Sequence, residues 1–222
     1  MNRRCSILRA FAIAALLLGM GGTLPVRANA PTAQTFIVNE QNDIPDINPG
    51  DGICDALGAA GEQCTFRAAI EEANAQSGTR DAILLPSGTY TLNYTGASED
   101  QARTGDLDIK DSVVIIGAGQ ASPTIDGNQS DRIFDVFCGS CTSTVDLYAV
   151  HLRNGSVGGY GGAMQINGGT VNIHDTLIDK NTATGGAFGG GIFNLGSLGL
   201  FNTIVTDNDA GSLGGGIYNW SG

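Results

Sequence analysis

Residues 145–169 read VDLYAVHLRNGSVGGYGGAMQINGG, residues 171–197 read VNIHDTLIDKNTATGGAFGGGIFNLGS, and residues 199–222 read GLFNTIVTDNDAGSLGGGIYNWSG. Each segment opens on an alternating apolar stretch and reaches a polar Asn or Gly corner. Each then crosses a glycine-rich stretch and closes on an apolar-Asn turn. Asn181 and Asn208 lie 27 residues apart, as do Asn167 and Asn194, and Val145 and Val171 lie 26 apart. A period of that length without a helical pattern inside it is one turn of a β-solenoid.

The physics follows from the period. Alternation turns one face of each short strand inward. A single repeat cannot bury that face alone, so coils stack and share one core, with equivalent residues about 4.8 Å apart along the axis. Val171, Ile173, Leu177 and Ile178 then sit beside Val145, Leu147, Val150 and Leu152 in one direction. In the other they meet Leu200, Ile204 and Val205. Asn181 and Asn208 stack as an amide ladder. The glycines at 161–162, 189–191 and 214–216 permit tight bends.

Upstream the repeat is irregular. Asp81–Tyr90, Asp106–Ile109, Val113–Ile116, Pro123–Asp126 and Ile133–Phe137 read as strands of two earlier coils. Residues 65–76 differ: Thr65 suits an N-cap, and Phe66, Ala69, Ile70 and Ala73 share one helical face, with Arg67, Glu71 and Glu72 on the other. A stack of parallel strands has raw edges at its ends, so the helix is expected to act as a lid on the first coil; a plain surface helix is the alternative. The final repeat is the cleanest and stops at Gly222 in mid-coil. That leads to the expectation of a longer reading frame, because terminal repeats depart from the pattern.

The N-terminus reads as an export signal over 1–28. Arg3, Arg4 and Arg9 precede the apolar run Phe11–Met20, and Val26-Arg27-Ala28 offers a small-residue cleavage site. A retained membrane anchor is the alternative. Removing Arg3, Arg4, Arg9 and Arg27 from 11 basic residues leaves 7 against 22 acidic ones, a net charge of −15. Nucleic acid and anionic membranes are poor partners for such a surface, and no membrane span is expected in the mature chain. Four cysteines remain, Cys54, Cys64, Cys138 and Cys141. An even count behind an export signal points to two local disulfides, Cys54–Cys64 and Cys138–Cys141. Zinc is the rival reading, with only Cys138-Gly-Ser-Cys141 at metal-ligand spacing.

Gly50-Asp-Gly-Ile-Cys54-Asp and Cys64-Thr-Phe-Arg-Ala-Ala-Ile-Glu-Glu-Ala-Asn74 closely resemble the CSLREA domain, with Phe66 and Ala68 in place of its usual Leu and Glu. ILLPSGTYTL and TGDLDI resemble the continuation of that family. The GGGIYN-type repeats resemble the pectin-lyase-like region that usually follows it. The fold expected is therefore all-β: a right-handed parallel β-helix, a solenoid of about five coils, with an N-terminal capping α-helix. Residues 29–80 form the CSLREA-like capping region and 81–222 the repeats. The resemblance implies secretion or bacterial surface display and no settled activity.

Other motifs are weaker. Gly117-Ala-Gly119 imitates a dinucleotide loop, but Ser122 and Pro123 remove the third glycine and the helix. The glycine tracts lack the Asp of calcium-binding β-roll repeats. Asp46, Asn48 and Asp51, with Asp43 and Asp55 nearby, make an oxygen-rich loop that is the candidate site for calcium as a cofactor. Its spacing is not that of an EF-hand, and ordinary turn chemistry explains the same residues. His151 and His174 have no nucleophile motif beside them. Asp175, Asp179 and Asp207 are the carboxylates of the clear coils; by position they suit ion pairs with Arg153 and Lys180 better than a facing acid pair. The leading expectation is an exported, non-catalytic β-helix for surface display, adhesion or recognition, with a carbohydrate or another surface protein as partner. The alternatives are a carbohydrate-active enzyme, polysaccharide lyase or glycosidase, and a structural passenger segment of a larger surface protein. A carboxylate cluster on one face of the solenoid would favour the enzyme.

Overall fold

The computed structural model describes residues 32–56, 63–96, 99–118, 123–137 and 142–220. The expected export signal over 1–28 and the expected Cys138–Cys141 pair fall outside the described residues. What is described is nearly all strand, stacked in parallel as a β-solenoid with one short helix.

Three sheets make the walls. The first holds Thr35–Ile37, Asp81–Leu85, Val113–Gly117, Thr144–Tyr148, Thr170–His174 and Ser197–Phe201. The second holds Thr89–Thr91, Thr124–Asp126, His151–Arg153, Leu177–Asp179 and Ile204–Thr206. The third holds Leu107–Ile109, Phe134–Val136, Met164–Ile166, Ile192–Asn194 and Ile217–Asn219. A short fourth ladder joins Ser156–Val157, Thr182–Ala183 and Asp209–Ala210. Four complete turns separate Asp81–Leu85 from Ser197–Phe201, and the chain then crosses the remaining sheets once more. Asp81–Tyr90, read as one strand, is broken by a corner at Pro86–Gly88 into strands of two sheets.

The core is a set of apolar rows shared between coils. Val113, Val145, Val171 and Leu198 align in the first sheet, and Tyr90, Ile125, Leu152, Ile178 and Val205 align in the second. Burying each such side chain contributes about 1.5–3 kcal/mol, and each row is dry only because its neighbours complete it. Leu177 stacks on His151 and Ile204 instead of Val150. The second-sheet strands turn only their middle residue inward, which leaves Leu177 on the outer row.

Corners repeat as faithfully as strands. Ala149, Asp175 and Asn202 hold φ of 54°, 50° and 48° at the turn between the first and second sheets. Asn154, Lys180 and Asp207 hold 56°, 55° and 50° after the second. Asn181, fully buried, donates to Asn208 Oδ1 at 2.9 Å and accepts from Gly155 N–H at 2.8 Å, which makes the expected amide ladder.

The helix Phe66–Ala75 starts where Thr65 accepts the Ala68 N–H. Its apolar face closes the first coil: the Phe66 ring meets Tyr90 and Phe134 edge-on at 6.2 and 6.1 Å. The charged face is covered as well. Arg67, Glu71 and Glu72 are all buried, because the N-terminal loops wrap over them. Glu72 accepts the Gly50 and Gly52 N–H groups, Glu71 accepts the Asp46 N–H, and Arg67 pairs with Asp43 at 2.6 Å. The Cys54–Cys64 disulfide ties that wrapping to the helix start. Thr35–Ile37, a strand the sequence reading omitted, adds one more layer to the first sheet beside Asp81–Leu85.

Gly189 tests the corner requirement. Its φ is +68°, and an added Cβ would lie 2.3 Å from the Ile192 carbonyl oxygen. Gly189→Ala is expected to destabilise the chain by about 1–3 kcal/mol in urea titration. Gly158→Ala, where a Cβ meets nothing within 4 Å, should leave the midpoint unchanged; equal midpoints for the two variants would refute the requirement.

Candidate functional site

The outer face of the third sheet changes chemistry along the axis. Its outward row, in register from coil to coil, is Asp108, Asp135, Gln165, Phe193 and Tyr218. The flanking residues Leu107 and Ile109, Phe134 and Val136, and Met164 and Ile166 point inward and are buried. Alternation therefore forces the two aspartates outward side by side. Carboxylate oxygens of Asp106, Asp108 and Asp135 lie within 4.8 Å of one another. They line an open groove of about 430 Å³ with Glu99, Asp100, Asp131, Arg132, Val157, Gly158 and Gly159.

Among the described residues, Arg132 is the one cation lining that groove. Its Nε lies 2.8 Å from Asp106 Oδ2, and its Nη1 lies 3.6 Å from Asp135 Oδ2. Nη1 also donates to Gln165 Oε1 and to the Tyr160 carbonyl. Asp135 accepts from Asn167 Nδ2 at 2.6 Å, and Asp108 accepts the Ala102 N–H at 2.8 Å. Gly105 permits the tight loop beside them: φ is +66°, and a Cβ would fall 2.2 Å from the Gly96 carbonyl oxygen and 2.9 Å from Asp131 Oδ2.

Burial dominates the electrostatics. It raises the Asp106 carboxyl to about 8 against the attraction of Arg132, with Asp131, Asp108 and Asp135 adding to the rise. Burial raises Asp108 to about 7, and Asp135, Glu99 and Asp100 reinforce it. Asp131 and Asp135 are raised by the same cause. With Asp106 raised to about 8 and Asp108 to about 7, the groove can offer a carboxyl O–H donor near neutrality. Asp106, Asp108 and Asp135 are also the described acidic side chains close enough to share a cation.

Aromatic rings continue the face. Tyr160 stacks on Phe193 at 4.5 Å, and Phe188 stacks on Tyr218 at 4.7 Å. Tyr160 follows directly on Gly159 at the groove and is 41% exposed; Trp220 at the far end is 50% exposed.

The residues singled out from sequence lie elsewhere. Asp46 is buried, and its two oxygens accept the Asn48 and Asp55 N–H groups. Asp51 accepts the Ile53 N–H, and the Asn48 backbone carbonyl accepts the Asp51 N–H. Cys54 and Cys64 are joined. The ion pairs expected for Asp179 and Asp207 are replaced by others. Asp179 lies 2.6 Å from His151 Nε2, Arg153 reaches back to Asp126 at 3.0 Å, and Lys180 meets Asp207 through a backbone bond. Asp175 accepts from Asn202 Nδ2. His174 stacks between Tyr148 and Phe201 at 4.4 Å. The acidic row was missed in sequence although a signal existed: Leu107-Asp108-Ile109 and Phe134-Asp135-Val136 share an apolar-Asp-apolar pattern 27 residues apart.

Comparison with protein-family models, curated proteins and solved structures gave no match to this chain.

The raised carboxyls give stability a sign. With folded values above unfolded ones, the folded chain holds more protons than the unfolded chain between the ordinary Asp value of 3.8 and about 8. Stability contributed by these groups is therefore complete below that window and is lost as pH rises through it. The melting temperature should fall from pH 5 to pH 8, and Asp106→Asn should flatten the slope. A wild-type melting temperature that rises over this range would contradict the assignment.

Proposed function

We propose that this protein is an exported β-solenoid that recognises a carbohydrate on the outer face of its third sheet. The observation that carries the reading is that the acidic groove at Asp106, Asp131 and Asp135 adjoins the exposed Tyr160 ring on one wall, whose register row Asp108–Asp135–Gln165–Phe193–Tyr218 includes the buried Asp108 and the Phe193 ring stacked on Tyr160. Sugars offer hydroxyls to the first kind of group and apolar ring faces to the second. Export is supported by the Cys54–Cys64 disulfide, a bond of oxidising compartments. It is also supported by the likeness of Cys64–Asn74 to the CSLREA domain and of the glycine repeats to the pectin-lyase-like fold.

Charge narrows the ligand. Among the described residues, Glu99, Asp100, Asp106, Asp108, Asp131 and Asp135 line the groove with Arg132 as their one cation. Even with Asp106 and Asp108 holding protons near neutrality, the groove carries more acidic than basic groups, so neutral or amine-bearing sugars fit it better than polyuronates or sulfated glycans. A second reading, glycoside hydrolysis, is favoured by one observation. Two carboxyls raised to about 8 and about 7 sit in one groove, and glycosidases divide acid and base roles between such a pair.

A glycan array tests the first reading. Binding to neutral or amino-sugar oligosaccharides is expected, with a loss of at least about tenfold, ~1.4 kcal/mol, in Asp135→Asn and in Tyr160→Ala. Equal or tighter binding to polyuronates, or none to any glycan, would overturn it. Reducing-sugar release that disappears in both Asp106→Asn and Asp108→Asn would move the protein to the hydrolytic reading. No ultraviolet-absorbing lyase product is expected from pectate or alginate.

A further inference from the structure

We infer that Arg67 and Asn74 of the capping helix are positioning residues for the acidic half of the third-sheet face, so that lid and ligand wall are one unit. The inference rests on the glycan-face reading for its functional meaning and on hydrogen-bond geometry for its substance.

Arg67 is 1% exposed and spends its guanidinium on the loop that delivers Asp106. Nη1 donates to the Ala102 carbonyl at 2.6 Å and to the Asp106 carbonyl at 3.3 Å, and Nη2 donates to the Gly105 carbonyl at 2.8 Å. Asp43 fixes the guanidinium from the other side, through Nε at 2.6 Å and Nη2 at 3.2 Å. The loop so held returns the Ala102 N–H to Asp108 Oδ2 at 2.8 Å. Arg67 thus acts on a wall carboxylate through one intervening residue.

Asn74 lies two helical turns further on and grips the far side of the same strand. Its Nδ2 donates to the Asp108 carbonyl at 2.7 Å, and its Oδ1 accepts the Lys110 N–H at 2.8 Å. Leu107–Ile109 is the outermost described strand of the third sheet, paired on one side only, with Phe134–Val136. Without Asn74 and Arg67 its register against Asp135 would depend on that single ladder and on Arg132, which lies between Asp106 and Asp135. A lid needs only an apolar face to cover the core; these two side chains do more, because their partners are the backbone groups on either side of Asp106 and Asp108.

The test compares full-length exported Asn74→Ala and Arg67→Lys with Glu72→Gln. Glu72 sits on the same helix and serves the Gly50 and Gly52 N–H groups instead. Amide hydrogen exchange at Ala102, Gly105 and Leu107 is expected to speed up at least about tenfold in the first two variants and not in the third, with exchange in residues 144–219 unchanged in all. Affinity for the oligosaccharide that the wild type binds should drop at least about tenfold in the first two while Glu72→Gln binds normally, even where melting temperatures fall equally. A purely structural role would make affinity follow melting temperature across all three variants. Unchanged exchange at those amides in a folded Asn74→Ala would overturn the inference, and that variant decides if Arg67→Lys fails to fold. Asp135→Asn keeps the two ideas apart. If it binds as wild type, the glycan face is wrong, and the exchange measurement still decides the positioning.

Discussion

Parallel backbone hydrogen bonding between coils fixes register, and almost everything else in this protein depends on it. Once Val145 is set opposite Val171, every later residue of the turn has its neighbours assigned from a position roughly one repeat away. Strand, corner and side chain are then the same decision taken repeatedly. Left-handed corners at Ala149, Asp175 and Asn202 recur because a coil that turned differently there would lose its bonds to both neighbours. The cost of a left-handed non-glycine residue is of order 1 kcal/mol, small beside the ladder it keeps intact.

This explains what the sequence disclosed. In the last three coils the repeat is visible because strands, corners and glycines all recur, and the amide ladder of Asn181 and Asn208 could be placed from spacing alone. In the first two coils loop lengths vary, so periodicity in linear sequence fades while spatial register does not. Asp108 and Asp135 keep the 27-residue spacing, but their row then steps 30 residues to Gln165 and changes from Asp to Gln and aromatic residues, so it could not be extended from the clear repeats. The burial of Arg67, Glu71 and Glu72 was hidden for a different reason. Helical periodicity separates two faces of a helix but does not say that a loop from residues 43–55 will fold over the charged face and supply partners for it.

The structure divides labour between the inside and outside of the same strands. Inward residues are constrained by the rows above and below. Outward residues of the third sheet are free of that constraint, so one wall can run from carboxylate to aromatic without disturbing the core. The lid joins the two regimes. Phe66 belongs to the core, packing on Tyr90 and Phe134, while Arg67, the next residue, reaches the loop that carries the wall's first acid. A change in how the helix seats would therefore be felt on the surface as well as in the core.

The outward row also makes the solenoid a ruler. Each turn contributes one side chain to it, at a pitch of about 4.8 Å set by backbone hydrogen bonding and not by the side chains themselves. Gain or loss of a whole coil lengthens or shortens the wall by one tick and leaves the others where they were. A polymer lying along the axis would be measured in those ticks, and a lineage could retune its reach by copying coils before altering any contact it already makes.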